Sequence, residues 1–245
     1  MQSTGKVAIV TGGSRGIGRA VAARLADDGF AVVVGYSRQQ AAANEVVQAI
    51  QARGGQALAL AAEVADEQAM ADLFQTATQA FGGIDVVVNS AGEMRLASVA
   101  ELDLADLDRL HRTNIRGTFV VNQQAARHVR AGGAIVNLSS SVVGLAFPAY
   151  GAYAASKGAV EALSLVLARE LRGRDVTVNA VAPGPTATAL FFEGKDDATI
   201  KHLASQSPLE RLGTPDDIAA VIAFLVSSAG HWVNGQVLRV NGGII

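Results

Sequence analysis

Tyr153 and Lys157 lie four residues apart in Tyr153-Ala154-Ala155-Ser156-Lys157, and Ser140 stands thirteen residues before the tyrosine. On a helix that spacing puts Tyr153 and Lys157 one turn apart on a common face. A free tyrosine has a pKa near 10, about three units too high for proton shuttling at neutral pH. An ammonium beside it stabilises the phenolate and lowers that value. Such a pair suits proton transfer to and from a carbonyl oxygen. Ser140 adds a hydroxyl at the end of an apolar run, Asn137-Leu138-Ser139-Ser140-Ser141. Taken singly these features are common: a Tyr and a Lys recur on ordinary amphipathic helices, and serines at strand ends also form turns.

The other constellation is Thr11-Gly12-Gly13-Ser14-Arg15-Gly16-Ile17-Gly18, between a short apolar run and a helical pattern. Glycine there permits a tight turn and a close approach of pyrophosphate to the backbone, while the following helix N-terminus offers free N–H groups. The spacing G-x-x-x-G-x-G differs from the G-x-G-x-x-G fingerprint, so its position at the first strand-to-helix junction carries the reading. An acid for a ribose 2′-hydroxyl is expected about 20 residues on. The second strand instead ends Gly35-Tyr36-Ser37-Arg38, with no carboxylate. Arg15 and Arg38 are read as facing a 2′-phosphate, with Ser37 donating a hydrogen bond, which favours NADP(H) over NAD. The alternative is two solvated surface arginines. A phosphate-binding turn and a Tyr/Lys pair together suggest hydride chemistry.

These groups need a scaffold. Short runs rich in β-branched residues at 7–10, 31–34, 57–61, 86–89, 134–138, 176–182 and 236–240 alternate with helical patterns at 16–28, 40–53, 67–81, 104–130, 150–171 and 215–227. Most of the short runs are apolar throughout, as strands buried on both faces of a parallel sheet are. Asp66 and Thr214-Pro215 are helix start signals, and Gly29, Gly54-Gly55, Gly82-Gly83 and Gly132-Gly133 punctuate element ends. The pattern predicts one α/β domain over 1–245, a doubly wound Rossmann fold with a seven-stranded parallel sheet. Residues 184–213 are the least regular stretch and follow a strand's C-terminal end, so they are read as a substrate loop or lid; a tolerated surface insertion is the alternative.

Composition narrows the function. The 245 residues carry a net charge of −2 and no basic run, which argues against nucleic acid. No cysteine is present, so disulfides and thiolate chemistry are excluded. His111, His128, His202 and His231 show no ligand spacing, and no metal site is expected. The start, Met1 to Lys6, runs into a strand without a signal-peptide profile, and no apolar run is long enough to span a membrane, so a cytoplasmic protein is expected.

Over essentially its whole length the chain resembles the short-chain dehydrogenase/reductase family. Thr11 to Gly18 matches T-G-x-x-x-G-x-G, Asn89-Ser90-Ala91-Gly92 matches N-N-A-G with one change, and Asn114-Ile115-Arg116-Gly117 carries an active-site asparagine. Pro183-Gly184-Pro185-Thr186-Ala187-Thr188 matches the P-G-x-x-x-T that closes over the nicotinamide. The resemblance implies that Tyr153 is the general acid in reduction and the base in oxidation. It implies that Lys157 lowers the tyrosine pKa and holds the nicotinamide ribose. Ser140 would hydrogen-bond the substrate oxygen, and Asn114 would position a water that relays protons through Lys157. The implied cofactor set is Gly12, Ser14, Arg15, Gly16, Ile17, Gly18, Ser37, Arg38, Glu63, Val64, Asn89, Ala91, Gly92, Tyr153, Lys157, Pro183, Gly184, Thr186 and Thr188. Two positions depart from the family: Ser90 replaces an asparagine, and Glu63 stands where Asp is usual beside the adenine.

Within the family the look is that of bacterial 3-oxoacyl-(acyl carrier protein) reductases and related carbonyl reductases. Arg127, Arg130, Arg172 and Arg174 are the candidates for a carrier-protein surface, or ordinary helix-end charges. Met94, Phe147, Tyr150, Leu190, Phe191 and Phe192 are the candidate substrate pocket, suited to hydrophobic ketones and equally to core or interface packing. The resemblance implies a homotetramer, in which the helices at 104–130 and 150–171 pair across one two-fold axis and residues 232–245 across another. The rival readings are an NAD-dependent alcohol or steroid dehydrogenase and a non-catalytic dinucleotide-binding regulator.

Overall fold

The computed structural model describes residues 5–245; the first four residues of the lead-in, Met1 to Thr4, lie outside the described residues. Seven parallel strands form one sheet in the order β3-β2-β1-β4-β5-β6-β7. They are β1 Val7–Thr11, β2 Ala31–Tyr36, β3 Ala57–Ala61, β4 Ile84–Asn89, β5 Val129–Leu138, β6 Thr177–Pro183 and β7 Val237–Val240. The order reverses between β1 and β4, so the C-terminal ends of those strands splay their following loops apart and open a crevice. Asn89 lies level with Thr11 there.

The helices cover both faces, as the apolar strand pattern requires. Alternate residues of each strand serve opposite faces. Ala8, Val10, Val32, Val34, Val86 and Val136 pack with α1 (Gly16–Asp27), α2 (Gln40–Ala52) and α10 (Pro215–Leu225) through Leu25, Ile50 and Ile222. Ile9, Val33, Val87, Ile135 and Val178 pack on the other side, with Phe74 of α3 (Glu67–Phe81), Val121 of α5 (Gly117–His128) and Leu167 of α7 (Gly151–Glu170). The start signals work as read: Asp66 accepts from the N–H groups of Gln68 and Ala69, and Thr214 forms a capping box with Asp217.

The structure corrects the single helix read over 104–130. It is α4 (Leu104–His111), one π turn (Arg112–Arg116) and α5, and the last two positions begin β5. Gly132-Gly133, read as a helix end, lies inside β5, with Gly132 at φ +79°. The π turn falls at Asn114, where extra backbone slack re-aims a buried side chain.

The stretch at 184–213 is not structureless. It contains α8 (Ala189–Phe192) and α9 (Asp197–Ser205). Its two ends are tied: Gly213 N–H donates to Pro185 O at 2.9 Å and Ala187 N–H to Gly213 O at 2.9 Å. A short helix, α6 (Val142–Leu145), follows β5.

Candidate active site

The glycine-rich turn joins β1 to α1 and packs against the loop after β4. A side chain at Gly12, which has φ +62°, would come within 2.9 Å of the Ala91 backbone. One at Gly18 would come within 2.3 Å of Gly12 O, so α1 can enter beneath the turn only with glycine there. The α1 N-terminus has no side-chain cap and no acidic residue in its first turn, a combination that leaves its N–H groups for an anion. It opens into a crevice lined by Gly12, Ser14, Arg15, Gly16, Ile17, Ser37, Arg38, Glu63 and Val64. Arg15 and Arg38 are exposed on its rim, and neither forms an ion pair with another described residue.

Asn89 does not line that crevice. It is buried, its Oδ1 accepts from Thr11 Oγ1 at 2.8 Å and its Nδ2 donates to Thr118 Oγ1 at 3.1 Å. Its side-chain amide is used in holding the strand ends. Gly18 likewise sits beneath the turn rather than on the crevice wall. Ala91 and Gly92 do line it.

A second pocket opens from the first, and Ile17, Ser90, Gly92, Glu93, Thr188 and Leu190 line both. Here β5 and α7 bring Ser140, Tyr153 and Lys157 together. Ser139 Oγ donates to Glu161 at 2.6 Å and Ser141 Oγ to Ala182 O at 2.9 Å, so both neighbours are committed. Ser140 Oγ accepts from Val142 N–H at 3.3 Å and sits within hydrogen-bonding reach of the Tyr153 phenol. Pro183, Gly184, Thr186 and Thr188 form the facing wall.

The electrostatics differ from the expectation drawn from spacing. Burial pushes the Tyr153 phenol up to about 12, against the lowering hydrogen bond of Ser140 and with a further raise from Tyr150. Lys157 does not offset this. Its Nζ donates to Leu138 O at 2.7 Å and lies 5.8 Å from the Tyr153 ring centroid. Burial lowers the lysine itself to about 8. Both groups are therefore held toward their neutral forms in the unliganded pocket, because desolvation outweighs their mutual attraction.

Asn114 is 1 % exposed and its side chain is fully used. Nδ2 donates to Glu93 O at 2.9 Å and to Ser156 Oγ at 3.0 Å, while Oδ1 accepts from Glu93 N–H at 2.9 Å. Ser156 Oγ passes the chain on to Tyr153 O at 2.8 Å. The Asn114 main-chain carbonyl accepts from Thr118 Oγ1 at 2.6 Å. A side chain at Gly92 would meet Asn114 Oδ1 at 3.4 Å and Lys157 Nζ at 3.5 Å, so both approach that glycine.

Of the candidate substrate residues, Met94, Phe147, Tyr150, Leu190 and Phe191 line the pocket. Phe192 does not; it is 41 % exposed and packs edge-on against Phe191. Adjacent helical residues point about 100° apart, so one of the two faces outward. Spacing alone missed Leu145, Leu203, Lys195 and Glu93 on this wall. Glu93 follows the Asn-Ser-Ala-Gly motif directly, a signal that was present in the sequence. The four arginines read as a carrier surface stand at the opposite end of the sheet, beside the starts of β5 and β6. Arg130 pairs with Asp85, and Arg174 donates to Ala126 O and Val129 O.

A family model described as enoyl-(acyl carrier protein) reductase matches residues 12–245. A short-chain type dehydrogenase/reductase of Picea abies is 46% identical, over 98% of this chain and 92% of its own. An NADPH-dependent aldehyde reductase-like protein, chloroplastic, of Arabidopsis thaliana is 38% identical over 98% and 94%. The solved structure of a short chain dehydrogenase from Burkholderia cenocepacia J2315 in complex with NADP superposes with a TM-score of 0.93 at 39% identity, covering 100% of this chain and 99% of that one. The nucleotide-like crevice, the pocket that joins it and these full-length likenesses agree, and the chain belongs to the short-chain dehydrogenase/reductase family.

Proposed function

We propose that this protein is an NADP(H)-dependent carbonyl reductase that converts a ketone to a secondary alcohol, reversibly. The observation that carries the reading is the junction of the two pockets: a phenol and a serine hydroxyl converge where the anion-ready crevice ends. The uncapped α1 N-terminus, Arg15 and Arg38 suit a pyrophosphate and a 2′-phosphate. The NADP-bound Burkholderia structure and the NADPH-dependent Arabidopsis relative support the same cofactor. When bound, NADPH supplies the hydride.

The chain's own groups supply the rest. Tyr153 gives its proton to the oxygen on which charge builds, and Ser140 donates a hydrogen bond to that oxygen. Lys157 has two N–H bonds beyond the one to Leu138 O, free for ribose hydroxyls. Asn114, whose side chain bonds Glu93 and Ser156, would position a water that relays protons through Lys157. The walls Met94, Phe147, Tyr150 and Phe191 exclude water and suit apolar ketones. A 3-oxoacyl carrier-protein substrate receives no support from the arginines, which lie away from the pocket. Following NADPH absorbance against a panel of ketones, ketoesters and 3-oxoacyl thioesters tests the reading; no turnover on any of them sinks it.

We further place the protein in a homotetramer. Phe119 on α5 and Leu165 and Val166 on α7 are exposed on the outer helical layer. Trp232, 98 % exposed, stands before β7, with Phe224 exposed on α10 and Ile245 exposed beyond the end of β7. Two separate apolar faces of this kind suit two isologous interfaces.

A further inference from the structure

The pocket that holds Tyr153 has a second lysine, and the chemistry above does not use it. Lys195 lies between α8 and α9, and its side chain reaches into the pocket wall. Its Nζ donates to Phe191 O at 2.7 Å and stands 5.0 Å from the Phe191 ring centroid. No described carboxylate forms an ion pair with it. Glu93 shares the pocket, but its carboxylate accepts from Thr113 Oγ1 at 3.2 Å. The surrounding wall is apolar, formed by Met94, Leu145, Phe147, Tyr150, Phe191 and Leu203.

A lysine ammonium prefers water, and a partly buried one without a counter-ion is costly unless something pairs with it. Burial lowers Lys195, and the nearby charge of Glu193 only partly restores it. Two of its N–H bonds remain for a ligand. The reacting groups come from β5 and α7, whereas this ammonium comes from the lid. Tyr153 and Lys195 line the same pocket, so one molecule filling it can meet both.

We propose that Lys195 selects the substrate, and that the preferred substrate is an apolar carbonyl compound bearing an acidic oxygen, a carboxylate or an ionised phenol, remote from the reacting carbonyl. This rests on the carbonyl reductase reading given above. The acidic oxygen takes the free N–H bonds of Lys195, the apolar body fills the pocket, and the carbonyl meets Ser140 and Tyr153. Binding such a substrate also draws the lid toward the pocket, because Lys195 and Phe191 belong to it.

The test compares 3- and 4-acetylbenzoate, their methyl esters and 4-hydroxyacetophenone, using intact enzyme and NADPH. A charge-assisted hydrogen bond predicts kcat/KM about tenfold or more higher for an acid than for its ester. In Lys195→Met that ratio falls toward one, mainly through KM; Lys195→Arg keeps most of it. Lys201→Met, on the exposed side of α9, leaves the ratio as in the parent. Preference for the phenol alone assigns the acidic oxygen to a phenolate, and preference for the benzoates alone to a carboxylate. Equal use of acid and ester by the parent with no preference for the phenol either, or an equal fall on acid and ester in Lys195→Met, overturns the proposal while turnover of the ester still upholds the reductase reading. No turnover of any compound overturns both.

Discussion

Replacing Tyr153 with phenylalanine removes one oxygen and leaves the ring that fills the pocket floor. Burial holds the phenol up to about 12 in the unliganded site. Near neutral pH it is protonated in essentially every molecule, so reduction has its acid in full supply. Losing it removes the whole general-acid contribution, about 10²–10⁴ in kcat, or about 3–5.5 kcal/mol of barrier. Alcohol oxidation needs the phenolate. A group with a pKa of about 12 is ionised in only about one molecule in 10⁴ at pH 8. Oxidation should therefore rise with pH over a range in which reduction does not. Tyr150 provides the comparison: it lies in the same pocket, burial raises its pKa too, and it packs edge-on against Phe147 at 5.7 Å. Tyr150→Phe should stay within about threefold of the parent, a change under about 1 kcal/mol of barrier. Steady-state NADPH consumption at saturating ketone gives kcat. Circular dichroism melting checks the fold, and NADPH fluorescence titration checks cofactor binding. Should Tyr153→Phe keep more than about a tenth of the parent turnover, or Tyr150→Phe lose as much as it does, the assignment of the acid is wrong.

Lys157 is held to about 8 by burial, so its charge is lost as pH rises through that value; kcat/KM for NADPH should fall on the alkaline side near pH 8, and a profile flat to pH 10 would contradict this. The same depressed pKa destabilises the fold in full below about pH 8, and that penalty declines progressively as pH rises from about 8 toward the ordinary lysine value of 10.5. Ser37→Asp places a carboxylate beside Arg38 at the crevice rim; NADPH preference over NADH in kcat/KM should drop about tenfold, the low end for exposed charge-assisted contacts, and an unchanged ratio would remove these residues from the 2′-phosphate site. Light scattering at micromolar protein should give a tetramer of the 25.1 kDa chain; a monomer excludes both interfaces, and a stable dimer retains one.

The succession of strands and helices along the chain and the elements that carry the serine, tyrosine and lysine are legible because apolar runs, glycine punctuation and helical spacing are local signals. Asn137 to Ser141 ends β5 and Tyr153 opens α7, so two adjacent elements suffice to bring the groups together. The π turn at Arg112–Arg116 was not legible, since one extra residue barely disturbs an apolar period that continues into α5. The helices within 184–213 are not legible because α8 has 4 residues and α9 has 9, too few turns to show a face. Asn89 and Phe192 were placed in the site by motif and composition; the direction of each side chain is decided by packing. Nor does spacing show burial, which raises the Tyr153 phenol in the unliganded pocket. Spacing shows the neighbouring ammonium but not the desolvation that outweighs it.

The most direct test of the central claim uses NADPH deuterated at the hydride-donating carbon with an aryl ketone. The account predicts an alcohol carrying deuterium at the former carbonyl carbon, formed in step with NADPH loss and suppressed in Tyr153→Phe. NADPH loss that leaves the ketone unlabelled, or labelled alcohol formed as fast by Tyr153→Phe, would contradict it.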